Sequence, residues 1–353
     1  MGSHAGQYTV SDKVQNITDL PYLRSRQVLE TFLPEINQTM NNQKYNDFFG
    51  CLIHGVAEDY VDQAKVENEI NEFIDLITPQ ASGRKLVRIG KAGDGSYLLP
   101  YDLEGVTACY SPGVNNFKDF EDSLVKNYGI QCHMCDASSD PEHFRTGMIE
   151  GMQTFRKVWL DVTGNDDSIS LRQWVAETTV PGDGDLLLQM DIEGAEYRNF
   201  LETDVSVLKK FRIMVIEFHG LDKIIDNGVR AQVLLPVFRK LNQIFEVVHA
   251  HPNNFDGEFL IKGTNIYLSK FLELTMYRRD RIAIPPVGRI SPTLIPHPKD
   301  IVNMRSRPPV FLDSRLLPSK RALRSRLKIF SDWSLYYLGV VARSIRGWYR
   351  KLS

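Results

Sequence analysis

The chain has 353 residues, 42% of them hydrophobic and 24% charged, with a formal net charge of −2. That length allows one large domain with extensions or two domains, and the near-neutral balance gives no general drive toward nucleic acid or an anionic surface. Four cysteines do not make a disulfide framework in a chain this long, and the absence of an apolar signal core or membrane-length run leads to the expectation of a cytoplasmic protein.

Residues 1 to about 20 are polar and expected to be loose. From Leu23 to Ile77 apolar residues recur at helical spacing, as in Val66, Ile70, Phe73, Ile74 and Ile77. This predicts a helical N-terminal extension over 1–80, ending near Pro79. Lys85–Ile89 reads as a short strand, followed by the glycine-rich turn Lys91–Tyr97. The spacing then predicts a strand at Val106–Tyr110, a loop at Ser111–Asn116, a helix at Phe117–Tyr128 and a strand at Gln131–Cys135 ending in Asp136. Val158–Val162 reads as a strand and Ile169–Glu177 as a helix. Leu186–Met190 and Ile213–Ile216 are apolar runs of strand length within one βαβ-sized unit. Val229–Ile244 reads as an amphipathic helix and Phe245–Ala250 as a strand leading to His251. Asn265–Leu268 and Phe271–Met276 complete an alternation that predicts a doubly wound α/β sheet over 81–284. Pro285–Pro318 is proline-rich and expected to be irregular, opening a linker and tail over 285–353.

The two central apolar runs end in chemistry-bearing residues: Asp191 and Glu193 after the first, Glu217 and His219 after the second. Ligands bind outside the carboxyl ends of strands in open parallel sheets. Asp191 as a helix cap and Glu217 paired with a surface lysine would be the ordinary alternative, but it does not require two neighbouring tips to be loaded together. Earlier in the chain, strand, turn, helix and a second strand ending in Asp136 make an arrangement suited to a nucleoside. The turn Ser111-Pro112-Gly113-Val114 brings backbone N–H groups forward, and Asp136 can accept both ribose hydroxyls. One glycine and a proline offer a poor landing place for a pyrophosphate, which argues against NAD and FAD and leaves a nucleoside such as S-adenosylmethionine. A tight turn at Gly113 and a cap at Asp136 are the plainer alternatives. Cys132 and Cys135 form a C-x-x-C pair inside an apparent strand, which suits ordinary buried thiols better than zinc or redox chemistry.

Asp94–Tyr97 (DGSY), CYSPGV with Phe120-Glu121, CDAS and MDIEGAE resemble the FkbM-type S-adenosylmethionine-dependent methyltransferases over roughly Arg88 to Asp280. HAHPNN and LELTMYRRD belong to the same likeness; Ser96 departs from it, standing where a second glycine is usual. The resemblance implies a Rossmann-like methyltransferase fold, methyl transfer to a hydroxyl oxygen, and a place in building surface glycans or secondary metabolites. It implies a cofactor over Ser111, Pro112 and Gly113, its ribose on Asp136, with Arg88, Asp94 and Tyr97 at its methionine end or closing the pocket.

A sugar hydroxyl needs a base or a metal to become a nucleophile. Asp191, Glu217 and His219 offer ligands for Mg²⁺ or Mn²⁺. His219 or His251 would serve equally as a metal-free base, with Asp191 beside it. Asn253 and Asn254 would supply a ligand or bond a substrate hydroxyl, and Glu193 would hold the cofactor or orient Asp191. His249, His54, His133, His143 and His297 read as structural.

From Arg315 onward the chain carries ten basic residues and one acid, Asp332. Leu327, Phe330, Trp333, Tyr337, Trp348 and Tyr349 interleave with Arg324, Arg326, Arg343 and Arg346. This is the composition of an interfacial helix, and equally of a helical hairpin packed on the domain or a partner; RNA binding has no recognisable module behind it. The expectation is an O-methyltransferase acting on a sugar hydroxyl of a glycan or glycolipid precursor, with no nucleic-acid partner. Peripheral association with an anionic inner membrane face or a glycan-assembly complex goes with it. Methylation of a small secondary metabolite, or a non-catalytic scaffold keeping the fold, are the alternatives.

Overall fold

Strands form where aliphatic residues run without polar interruption, because such runs can be covered on both faces. The clearest case is Phe211–Phe218, buried at every position. A computed structural model describes residues 63–179, 184–261, 264–282, 294–317 and 323–352. The expected helices before residue 63 lie outside the described residues.

Helix α1 (Gln63–Ile77) turns Ile70, Phe73, Ile74 and Ile77 into the core. Strands β1 (Leu86–Ile89) and β2 (Tyr97–Pro100) pair antiparallel around the glycine-rich turn. The main sheet then begins with β3 (Val106–Pro112), α2 (Asp119–Tyr128), β4 (Gln131–Cys135) and β5 (Gln153–Arg156). A two-residue pair, β6 (Trp159–Leu160) and β7 (Ser168–Ile169), precedes α3 (Leu171–Thr178). Next come β8 (Asp185–Met190), α4 (Glu196–Glu202), α5 (Val205–Leu208), β9 (Phe211–Phe218), α6 (Leu235–Asn242) and β10 (Phe245–Pro252). A small hairpin, β11 (Glu258–Leu260) with β12 (Tyr267–Ser269), leads into β13 (Leu272–Arg278), and α7 (Leu323–Leu352) ends the chain.

The seven-stranded sheet has the order β5-β4-β3-β8-β9-β13-β10. Neighbours from β5 to β9 are parallel, and β13 lies antiparallel between β9 and β10. The chain winds outward from β3 in one direction and returns to β8 for the other. This is the doubly wound, Rossmann-like arrangement, with its switch point between β3 and β8. One face packs on α1, α3, α4 and α6 through Phe73, Trp174, Phe200 and Phe238. The other packs on α2 and the β1–β2 hairpin through Phe120, Leu124 and Leu99.

Two elements differ from the sequence expectation. Val158–Val162 holds only the two-residue strand β6, outside the main sheet, and the sheet's edge is the unforeseen β5; an edge strand reading Gln-Thr-Phe-Arg is only half covered and shows no apolar run. The helix expected over Val229–Ile244 is interrupted by a π-helical turn at Arg230–Leu234. Pro236 lies just beyond, and since it has no N–H and crowds the preceding turn, the helix widens there. Of the two alternatives for the tail, the structure has the continuous helix and not the hairpin. Cys132 and Cys135 do lie on a strand, and three residues apart they enter the cores on opposite sides of the sheet, so they cannot share a ligand. Residues 294–317 are irregular, but Ile295, Leu312 and Leu316 are buried in the main core, so this strap docks against the sheet. No helix among the described residues is long and apolar enough to cross a membrane.

Candidate active site

The carboxyl ends of β3, β4, β8 and β9 bring Gly113, Asp136, Asp191 and His219 to one edge of the sheet. Because β13 runs the other way, its first residues reach the same edge. There Glu217, Glu273 and His251 form a row across β9, β13 and β10, directly paired in register. Residues paired this way share a face of the sheet.

His219 is the most constrained side chain of the group. Its Nδ1 is 3.0 Å from Oε1 of Glu196, which is wholly buried at the start of α4. The same Oε1 accepts from the amides of Ile192 and Gly194. Tyr197 donates to the His219 carbonyl at 2.7 Å, and the Phe271 ring lies 4.9 Å from the imidazole. Nε2 is left facing Asp191 Oδ1 at 3.6 Å and Glu193 Oε2 at 3.7 Å. Glu193 is solvent-exposed and left-handed, with φ 56°, a strained conformation for a side-chain-bearing residue. Burial lowers the pKa of His219, but Glu196, Asp191 and Glu217 outweigh it and hold the imidazole well above the usual value. Burial pushes Asp191 up to about 7, opposed by His219 and assisted by Glu193, Glu196 and Asp94. Glu196 escaped the sequence reading although it is the last residue of DIEGAE; the signal was an acid opening the helix after a loaded strand tip.

Beside this pair the cleft is acidic. Carboxylate oxygens of Asp94, Glu217 and Glu273 lie within 4.8 Å of one another. Burial first, and then the mutual field of the carboxylates, raises the pKa of Glu217 strongly and of Glu273 less, the latter opposed by His251. Asp94 reaches the cleft from the glycine-rich turn, and Asn303 of the strap bonds it at 2.9 Å and Glu273 at 2.7 Å. Asn253 donates to Glu217 at 2.8 Å.

Several expected ligand-binding groups are held by the strap instead. Arg88 donates to the Lys299 carbonyl and to Ser96, so its guanidinium joins the strap to the β1–β2 hairpin and does not extend toward a cofactor. Ser96 in turn closes the glycine-rich turn by donating to Gly93 O. Asn254 is committed to the backbone of Met304, Arg307 and Pro308, which removes it from substrate contact. His251 Nε2 bonds Asn303 Oδ1 at 3.1 Å, and Asp300 lies 3.8 Å from Nδ1. Burial lowers its pKa, but Asp300 and Glu273 lift it to about 9. Nε2 of His251 is taken by Asn303 and Nδ1 is buried beside Asp300, so neither nitrogen is open to a substrate. His249 bonds Asp300 at 2.9 Å and is structural.

The turn after β3 also differs from its expected form. Ser111 and Pro112 still belong to the strand, and the turn begins at Gly113. The amides of Val114 and Asn115 donate to Asp136 Oδ2, and that of Asn116 to Ser139. Asp136 also accepts from Ser138 and Ser139. Burial raises its pKa, but these hydrogen bonds outweigh it and hold the carboxyl below its usual value. Asp136 thus staples the turn, and the amides expected to face a nucleoside face Asp136 and Ser139.

Beneath the turn lies a buried polar chain. Ser111 Oγ touches both Glu121 Oε1 and Gln189 Oε1, and Gln189 donates to Tyr97 at 3.4 Å. Tyr97 is therefore below the cleft floor, edge-on to Phe120. Burial lifts Glu121 to about 7. One serine proton cannot serve both acceptors at once, so a protonated Glu121 fits this crowded, buried position. The folded-state pKa lies above the unfolded value, so this group costs nothing below about pH 4 and lowers stability as pH rises through 7. Glu121→Gln is expected to be more stable than wild type at pH 8 by on the order of 3 kcal/mol, and equal to it near pH 4. Urea unfolding at both pH values measures this; equal midpoints at pH 8 would show that Glu121 is not held protonated.

The metal expectation named Asp191, Glu217 and His219. The closest donor group is instead Asp191, Glu196 and His219, while Glu217 groups with Asp94 and Glu273. Glu196 Oε1 and His219 Nδ1 are bonded to each other, and Oε1 also accepts from two backbone amides, so neither of these atoms is open to an ion. The three residues of the metal expectation therefore fall into two separate donor groups rather than one.

Neither a protein-family model nor a curated protein matches the chain. Among solved structures it is similar to the methyltransferase CalO6, at 10% identity over 50% of this chain and 58% of that one, with TM-score 0.27. It is also similar to the N-methyltransferase NodS from Bradyrhizobium japonicum WM9 in complex with S-adenosyl-L-homocysteine. There the identity is 9% over 62% of this chain and 89% of that one, with TM-score 0.24. The chain spans a little over half the length of CalO6. The fold assignment rests on strand order and direction.

Proposed function

We propose that this protein is an S-adenosylmethionine-dependent O-methyltransferase acting on a sugar hydroxyl of a glycan or glycolipid precursor. The observation that carries the proposal is His219 at the β9 tip, with Nδ1 fixed by buried Glu196 and Nε2 facing Asp191 beside the switch point. A base held on one nitrogen and open on the other is the arrangement that removes a hydroxyl proton and stabilises the resulting imidazolium.

The donor set suits this cofactor. A sulfonium and an α-ammonium are cationic; Asp94, Asp191, Glu217 and Glu273 gather at the strand tips, and a bound cation would favour the ionised forms of the three carboxyls whose pKa burial and their neighbours raise. Asp136 would hold the ribose through Oδ1, exchanging the Ser138 hydroxyl, and the turn at Gly113 would carry the nucleoside. The cofactor supplies an activated methyl group on sulfur. Most of the protein's work is then to align the acceptor oxygen and remove its proton at His219 Nε2. The carboxylates favour an acceptor rich in hydroxyl donors. This supports a sugar over an apolar metabolite.

Isothermal titration with S-adenosylmethionine and S-adenosyl-L-homocysteine tests the cofactor. Saturable binding is expected, weakened about tenfold or more by Asp136→Ala, which is a loss of about 1.4 kcal/mol. Binding of NADH without binding of the methyl donor would overturn the reading. Transfer of labelled methyl to sugar acceptors, with the methyl ether located by mass spectrometry, tests the acceptor; labelling confined to amines would overturn O-methylation.

A further inference from the structure

Six large apolar side chains stand exposed on α7, out of thirteen exposed among the described residues. Five of them, Leu327, Phe330, Tyr337, Leu338 and Val341, fall within about 100° of helical arc, the width of an amphipathic stripe. Phe330 is 73% and Leu338 66% exposed. The opposite side faces the protein: Asp332 is buried beside Val302 and Val310 of the strap, and Lys328 pairs with it. The apolar stripe is thus the outward face.

The charge on this helix selects the occupant. Residues 323–352 hold seven basic residues and one acid, and that acid is neutralised by Lys328. Arg326, Arg343 and Arg346 are exposed. A second copy of the chain would bring like charges together along the whole helix. A surface of anionic lipid headgroups instead accepts the cations while its acyl boundary takes the apolar stripe. Trp333 and Tyr337, stacked with centroids 5.7 Å apart, have the amphipathic rings that settle at such a boundary. We infer that α7 docks the protein in the plane of an anionic membrane surface through its outward Leu327–Val341 stripe, without spanning it. This inference is independent of the methyl-transfer reading.

Co-sedimentation of the full chain with phosphatidylcholine vesicles, with and without phosphatidylglycerol, tests it. Pelleting is expected only with the anionic vesicles and should fall as salt rises. Phe330→Asp with Leu338→Asp should abolish it. Arg343→Glu with Arg346→Glu should weaken it by about 100-fold or more, since each charge is worth about fivefold. Circular dichroism and melting temperature identify any variant that has failed to fold. Equal pelleting with neutral vesicles, or none with either kind, would overturn the inference. So would concentration-dependent dimers that Phe330→Asp dissolves, because the face would then belong to a second copy.

Discussion

His219→Ala should lower kcat by about 10²- to 10⁴-fold while leaving S-adenosyl-L-homocysteine affinity within a few-fold of wild type. The imidazole faces Asp191 rather than a nucleoside-binding turn, so its loss removes the proton acceptor and not the cofactor's support. The pH profile carries a second signature. A neutral imidazole is needed to accept a proton, and the surrounding acids hold His219 above its usual pKa. The rate should therefore rise with pH through an apparent pKa above 6.5, raised in part by Asp191 3.6 Å from Nε2. Glu196→Gln removes the nearest negative charge, so this acid limb should move to lower pH while kcat falls. A limb that stays in place in Glu196→Gln would detach Glu196 from the base, and full activity in His219→Ala would remove His219 from the chemistry.

Gly113→Ala should be the most destabilising single methyl addition at this site. A Cβ at Gly113 would lie 1.7 Å from the Asp191 carbonyl oxygen, and Gly113 has φ +83°. The obstacle is backbone, held by Asp191 N–H to Pro112 O at 3.3 Å and Gly113 N–H to Cys135 O at 3.0 Å. No flexible side chain can give way, so the β3 and β8 tips must part. Left-handed alanine alone costs about 1–2 kcal/mol. With the displaced junction the loss should reach about 3–5 kcal/mol, or roughly 5 °C in melting temperature. Calorimetry measures this directly; a melting point within about 2 °C of wild type would mean that the tips are not pinched together.

Much of the fold was legible because burial on both sides leaves an uninterrupted apolar run. Gln131–Cys135 was read to the residue, and the β8 and β9 runs to within two residues at either end. The half-covered edge strand β5 was not legible, because Gln-Thr-Phe-Arg carries no such run. Asp191 and His219 were legible as polar residues at the ends of buried strands. Glu196 was missed because it opens a helix, where an acid is ordinary.

Local sequence by itself determined the alternation of strands and helices, the strand tips that carry acids and a histidine, and the amphipathic basic tail. These follow from the immediate burial and backbone preferences of neighbouring residues. Tertiary structure alone decided which distant groups meet. The reversed β13 sets Glu273 between Glu217 and His251, and the docked strap brings Asp300 and Asn303 to Asp94, Glu273 and the histidines of β10. Those partners lie tens to hundreds of residues apart, so no local pattern encodes them. Strand direction and the packing of an irregular segment create the contacts, and with them the charge of each group in the cleft.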